Sequence, residues 1–218
     1  MFDHEETENN QKIKYEKKCK ARSLVYAGNP FNAKSVDKQN IKDRLDYVVE
    51  MAVFAHEHGV DFVLEIYGVT KNEYLKYFPE HKTILDLARK KICFRGVVPR
   101  SEVVDAIQKA DFTIFMREVT RVTEAGFPTK FSESISYGTP VITNSMSNIC
   151  NYLIEGKTGF AIDLVNKELR HNTLLRILQL ENSDIEYMKK YCLESRLFDY
   201  SNHINSVGTF LKNICERT

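Results

Sequence analysis

Six short apolar runs, spaced by helix-length stretches, constrain this chain more than any other feature. Ser23-Leu24-Val25-Tyr26-Ala27 ends at Gly28, Phe62 to Tyr67 ends at Gly68, and Lys91 to Arg95 ends at Gly96. Phe112 to Met116, Pro140 to Thr143 and Gly159 to Ile162 complete the set. Between them, Lys42 to about His56 carries Leu45, Val48, Val49, Ala52 and Val53 on one helical face. A second helical stretch runs through Tyr74 and Leu75. A third, capped by Ser101, presents Val103, Val104, Ile107 and Ala110. Nearly unbroken apolar runs alternating with helices imply strands buried on both faces. That is an α/β, Rossmann-like, doubly wound parallel sheet of about six strands, with helices on both faces. From Lys167 onward the pattern is helical, with no strand candidate.

The chain has 218 residues, enough for one large domain with a packed core. We expect residues 21–218 to be that domain and residues 1–20 to be a tail or inter-domain linker. With 31 basic and 30 acidic residues, net charge gives no case for nucleic acid or an anionic membrane as partner. No apolar run approaches the roughly 20 residues of a membrane span, and the N-terminus has no apolar signal core. The five cysteines are scattered without a CxxC pair. Reduced thiols in a cytoplasmic protein, with no metal site, are the expectation.

In such sheets ligands bind beyond the carboxyl ends of the strands. Gly28, Gly68, Gly96 and the loop ahead of residue 133 converge there, although a glycine at a strand end also serves a simple tight turn. The stretch Gly126-Phe127-Pro128-Thr129-Lys130-Phe131-Ser132-Glu133 reads as a loop turning into a helix capped by Thr129, stopped at Gly138 and Pro140. Its free amides at Lys130, Phe131 and Ser132 favour an anion. Glu133, one turn in, can reach a hydroxyl-bearing group attached to that anion. Gly28 to Ser35 falls one residue short of a P-loop, because Ala33 stands where glycine must precede the lysine. No GxGxxG, GxSxG or HExxH pattern occurs. Lys42 and Arg44 open the first helix, an unfavourable place for cations unless an anion is near. Arg117 and Arg121 lie in a charged loop suited to a lid over an anionic donor, or are solvated side chains.

Taken together, Tyr26-Ala27-Gly28 with Lys42 to Asp46, Ile66-Tyr67-Gly68, Phe94 to Pro99, Ala110-Asp111-Phe112, Gly126 to Glu133, Gly138 to Ile142 and Glu155 to Phe160 form an ordered series. From Ser23 to about Asp163 that series resembles the C-terminal, nucleotide-sugar-binding half of a GT-B glycosyltransferase of the group 1 (family 4) type. The Phe-Pro-Thr-Lys-Phe form is similar to enzymes of bacterial capsular and surface polysaccharide synthesis.

The resemblance implies that Glu133 holds the donor ribose and that Lys42 binds the diphosphate. Gly28, Phe127, Thr129, Lys130 and Phe131 would line the diphosphate site, with Arg95 and Val97 beside the base. Catalysis would fall to Lys42 and Lys130, with Glu124 as the sugar-binding carboxylate. The donor would be a UDP- or GDP-sugar, transferred with retention to a glycan or lipid-linked glycan, with no metal or cofactor required. The resemblance also implies an acceptor-binding domain upstream, against which the helices around Tyr191 to Phe210 would pack, and a peripheral place at the inner face of a membrane. Three departures from the family stand out. Ala125 stands eight before Glu133, where a first glutamate is usual, with Glu124 one residue off. Asn29 and Pro30 replace an arginine, and Asp43 replaces a glycine. A non-catalytic interaction module, or half of a nucleotide-sugar epimerase, are the alternatives.

Overall fold

The computed structural model describes residues 21–31 and 41–215. The expected N-terminal linker and the second half of the P-loop-like stretch lie outside the described residues. The strands are β1 (Arg22–Ala27), β2 (Phe62–Tyr67), β3 (Ile92–Gly96), β4 (Phe112–Ile114), β5 (Val141–Thr143) and β6 (Gly159–Ala161). They form one sheet in the order β3-β2-β1-β4-β5-β6, and every pairing is parallel. This is the doubly wound α/β fold expected from the alternation of apolar runs.

The two-residue period of β1 decides which helix covers which face. Leu24 and Tyr26 point into the main core with Leu45, Val48 and Met51 of α1 (Leu45–Glu57). Val25 points the other way, into a small cluster with Tyr67 and with Ile107 of α4 (Arg100–Lys109). Helices α2 (Lys71–Tyr77) and α3 (Lys82–Leu87) pack Tyr74 and Leu85 into the main core. Beyond β4 come α5 (Arg121–Glu124) and α6 (Thr129–Ser136), and after β6 come α7 (Lys167–Leu178), α8 (Asn182–Ser195) and α9 (Ile204–Cys215). The buried Arg22 guanidinium ties the turn between α7 and α8 beneath the sheet by donating to the carbonyls of Leu178 and Leu180. At the far edge, a Cβ on Gly159 would lie 1.8 Å from the Val141 carbonyl oxygen. Glycine there lets β6 approach β5.

Two helix starts differ from the sequence reading. The first helix begins at Leu45, not Lys42, because Asp43 forms an antiparallel bridge with Arg117 and the Arg44 amide donates to Met116 O at 2.7 Å. Residues 43 and 44 are thereby held to the end of β4. Helix α4 starts at Arg100 behind Pro99, whose carbonyl accepts the Glu102 amide at 3.0 Å. Ser101 is inside that helix and does not cap it. Among the described residues no helix is long and apolar enough to cross a membrane, and no group of acidic, histidine and cysteine side chains could hold a metal ion.

Candidate functional site

Strand β1 pairs with β2 on one side and β4 on the other, so the direction of chain progression reverses there. The outward-splayed connections at such a point leave a crevice at the carboxyl ends of the strands. Here it lies between α4 and α6, lined by Val25, Ala27, Val103, Ile107, Thr113 and Phe115, with Arg100, Lys130, Glu133 and Tyr137 supplying the polar groups. Its free space is about 490 Å³, part of it open to solvent.

Helix α6 supplies the polar groups of one wall. Pro128 is its cap residue, with extended backbone, and Thr129 is already the first helical residue, making no side-chain cap bond. This corrects the expected Thr129 cap. Pro128 also accepts the Phe131 amide on its carbonyl at 3.0 Å, so the amides of Thr129 and Lys130 are left to form the helix mouth. No acidic residue occupies the first turn. The Phe131 ring is fully buried and meets Phe127 edge-on at 6.0 Å. Phe127 in turn packs on Tyr152 and Phe198. Both phenylalanines therefore anchor the helix through an aromatic cluster, and the site receives the backbone that they fix.

The Lys130 side chain lies across the end of β1. A Cβ on Gly28, whose φ is +141°, would come within 2.6 Å of the Lys130 ammonium nitrogen. Glycine at that strand end makes room for the cation. Lys130 also sits over the Tyr26 ring, 4.5 Å from its centroid, and forms an ion pair with Asp43. Asp43 takes Arg117 Nε at 2.7 Å on its other oxygen. Burial works against the Asp43 charge, but Lys130 and Arg117 outweigh it and hold the carboxyl below its ordinary range. Burial drives the Lys130 value down, against the pull of Asp43.

One turn along α6, Glu133 is 41% exposed and accepts Arg100 at 3.1 Å across the crevice mouth. The remaining expected residues are distributed differently. Lys42 is exposed, in the loop before α1. Arg95 turns to Glu65 of β2 at 2.6 Å, and neither it nor Val97, which is 84% exposed, lines the crevice. Glu124 closes α5 and accepts the Ser147 amide at 2.8 Å. Arg44 finds its anions within the protein, Asp46 and Glu118, while stacking on Tyr47 at 3.6 Å. Arg117 is buried, so neither a solvated surface position nor a lid describes it.

Two participants escaped the sequence reading. Arg100 was hidden behind Pro99 as one more charged helix residue. Asp43 looked like a mere departure from a glycine, because its partners Lys130 and Arg117 are remote in sequence and its neighbour Arg44 pairs elsewhere.

A sequence model of the family described as "Glycosyl transferases group 1" matches residues 32–192. No curated protein matches the chain. Among solved structures, the pneumococcal O-GlcNAc transferase GtfA, in complex with UDP and GlcNAc, is similar at 18% identity and TM-score 0.58 over 80% of this chain and 32% of its own. HepE of Anabaena, in complex with UDP and glucose, is similar at 9% identity and TM-score 0.62 over 88% of this chain and 48% of its own. Sucrose-phosphate synthase of Thermosynechococcus elongatus is similar at 15% identity and TM-score 0.57, over 91% of this chain and 46% of its own. At these identities the likeness is one of fold. The chain spans between about a third and a half of the length of these structures.

Proposed function

This chain belongs to the group 1 glycosyl transferases, and from that premise we propose that its crevice binds the nucleoside diphosphate of a sugar donor. The observation that carries the proposal is the spacing of charge on α6. A helix mouth with the Lys130 ammonium lies at one end of the crevice and the Glu133 carboxylate one turn away. A diphosphate would sit against the Thr129 and Lys130 amides and the ammonium, where the helix dipole and a fixed cation both favour it. The ribose hydroxyls would replace Arg100 as donors to Glu133, and the base would lie toward the loop from Gly96 to Pro99. UDP in the GtfA and HepE complexes supports a uridine nucleotide as the first donor to try.

The reaction would be displacement of that diphosphate from the anomeric carbon by an acceptor hydroxyl, with retention. As the C–O bond to the diphosphate lengthens, negative charge grows on its oxygens. Lys130 and the α6 mouth are placed to stabilise it. Lys42, exposed ahead of α1, can approach from the solvent side. A second domain would supply the acceptor site, and a surface or capsular glycan is the acceptor class we propose. A non-catalytic module is favoured by one observation, the engagement of Glu124 with the Ser147 amide, which takes up a carboxylate expected to hold the sugar.

Calorimetry with UDP and GDP tests the donor site. One of the two should bind, and Glu133→Ala should weaken it by about 1.5–3 kcal/mol, at least tenfold in Kd. Binding of neither, or binding untouched by that substitution, would contradict the proposal.

A further inference from the structure

Asp43 stands where the family commonly has glycine, and the fold buries it at 3% exposure beneath the anion site. Both carboxylate oxygens are used. One accepts Arg117 Nε at 2.7 Å, and the other accepts the Lys130 ammonium and the Tyr26 hydroxyl, the latter at 3.2 Å. Arg117 is 6% exposed and does not line the crevice, whereas Lys130 does. Two cations on one carboxylate leave the cluster with an excess positive charge. The member of it that lines the crevice is Lys130, whose ammonium lies over Gly28.

We infer that Asp43 is a positioning residue of the anion site: it holds the Lys130 ammonium in place at the crevice, with Arg117 braced behind it. The inference rests on the donor-site reading above. It gives the site a fixed cation where Asn29 and Pro30 stand in place of the family's arginine.

The groups facing Lys130 come from three elements: Tyr26 from β1, Lys42 and Asp43 from the loop before α1, and Arg117 from the end of β4. Burial, Arg117 and Lys42 all favour the neutral amine; Asp43 is the group opposing them. Tyr26 stays a neutral phenol, its ionisation pushed well up by burial and then by Asp43. Without the Asp43 charge the amine would give up its proton at lower pH than it does in the wild-type protein, and a neutral amine attracts no diphosphate.

The test uses the full chain labelled with [ε-13C]lysine, the Lys130 resonance assigned with Lys130→Arg, and inorganic pyrophosphate and UDP as probes. In the wild-type protein Lys130 should titrate below an ordinary lysine, because burial outweighs the pull of Asp43. Asp43→Asn should move its titration further down and weaken pyrophosphate binding at least tenfold at a pH between the two measured titrations, with recovery below the lower one. Asp43→Glu, which tests the point if the asparagine variant does not fold, should keep the amine charged while displacing it, so that binding falls without a change in titration. An unmoved Lys130 titration in Asp43→Asn, or binding equal to wild type at that pH, overturns the role of Asp43. Failure of the wild-type protein to bind either probe overturns the donor-site reading instead.

Discussion

At the scale of single residues, the site depends on what Gly28 lacks. Its φ of +141° and the 2.6 Å approach of Lys130 leave no room for a methyl group. Gly28→Ala should cost about 1–3 kcal/mol of stability, read by urea unfolding, because that backbone region is nearly restricted to glycine. It should also displace the ammonium and weaken UDP binding at least tenfold. Unchanged binding would mean that Lys130 does not reach the ligand. Gly28, Lys130 and Glu133 were legible in the sequence because strand ends and helix starts carry local signals. The pairing of Arg117 with Asp43 was not, since it joins positions 74 residues apart through a bridge that sequence spacing does not encode.

At the scale of elements, α6 must be held at a fixed angle for its mouth to face the crevice. Ser134, fully buried, shares a 2.6 Å hydrogen bond with Thr113 of β4 and donates to the Thr139 carbonyl at 2.8 Å. Thr139 in turn donates to Ile107 O of α4 at 2.6 Å, so both crevice walls are tied together below the site. Ser134→Ala should cost about 1–3 kcal/mol, because buried partners on both sides lose a hydrogen bond. A change in melting temperature too small to measure would contradict that. The stop at Gly138 and Pro140 was readable from the sequence. The Thr129 cap was misread by one residue, because Pro128 adopts the extended cap backbone and frees threonine to enter the helix.

At the scale of the whole molecule, stability should depend on pH through a group remote from the site. His171 of α7 is buried against Phe54 of α1, and its Nε2 has no hydrogen-bond partner. Burial, and then Arg170 and Lys167, push its value from 6.5 down to about 4. Below the unfolded value the unfolded chain takes up a proton that the folded one refuses, so stability falls between pH 6.5 and about 4. Asp43 acts lower still: its depressed folded value means that its stabilisation is lost only as pH drops below the ordinary carboxylate range. His171→Leu should flatten the melting temperature between pH 6.5 and 4.5 relative to the wild-type protein. A parallel decline in both would assign the acid sensitivity elsewhere. The sheet itself was legible, since six apolar runs leave few other ways to bury them. The strand order was not, because parallel registry is set by helix crossovers rather than by the strands' own residues.

The central claim is that the crevice where β1 meets β4 takes a nucleoside diphosphate with its phosphates at the mouth of α6. Amide NMR of the 15N-labelled chain titrated with UDP tests it most directly. Shifts should concentrate at Gly28, at Thr129 and Lys130, around Glu133, and along Val97 to Arg100, and should weaken in Lys130→Met. Shifts elsewhere on the sheet, or none at α6 at saturating nucleotide, would contradict it.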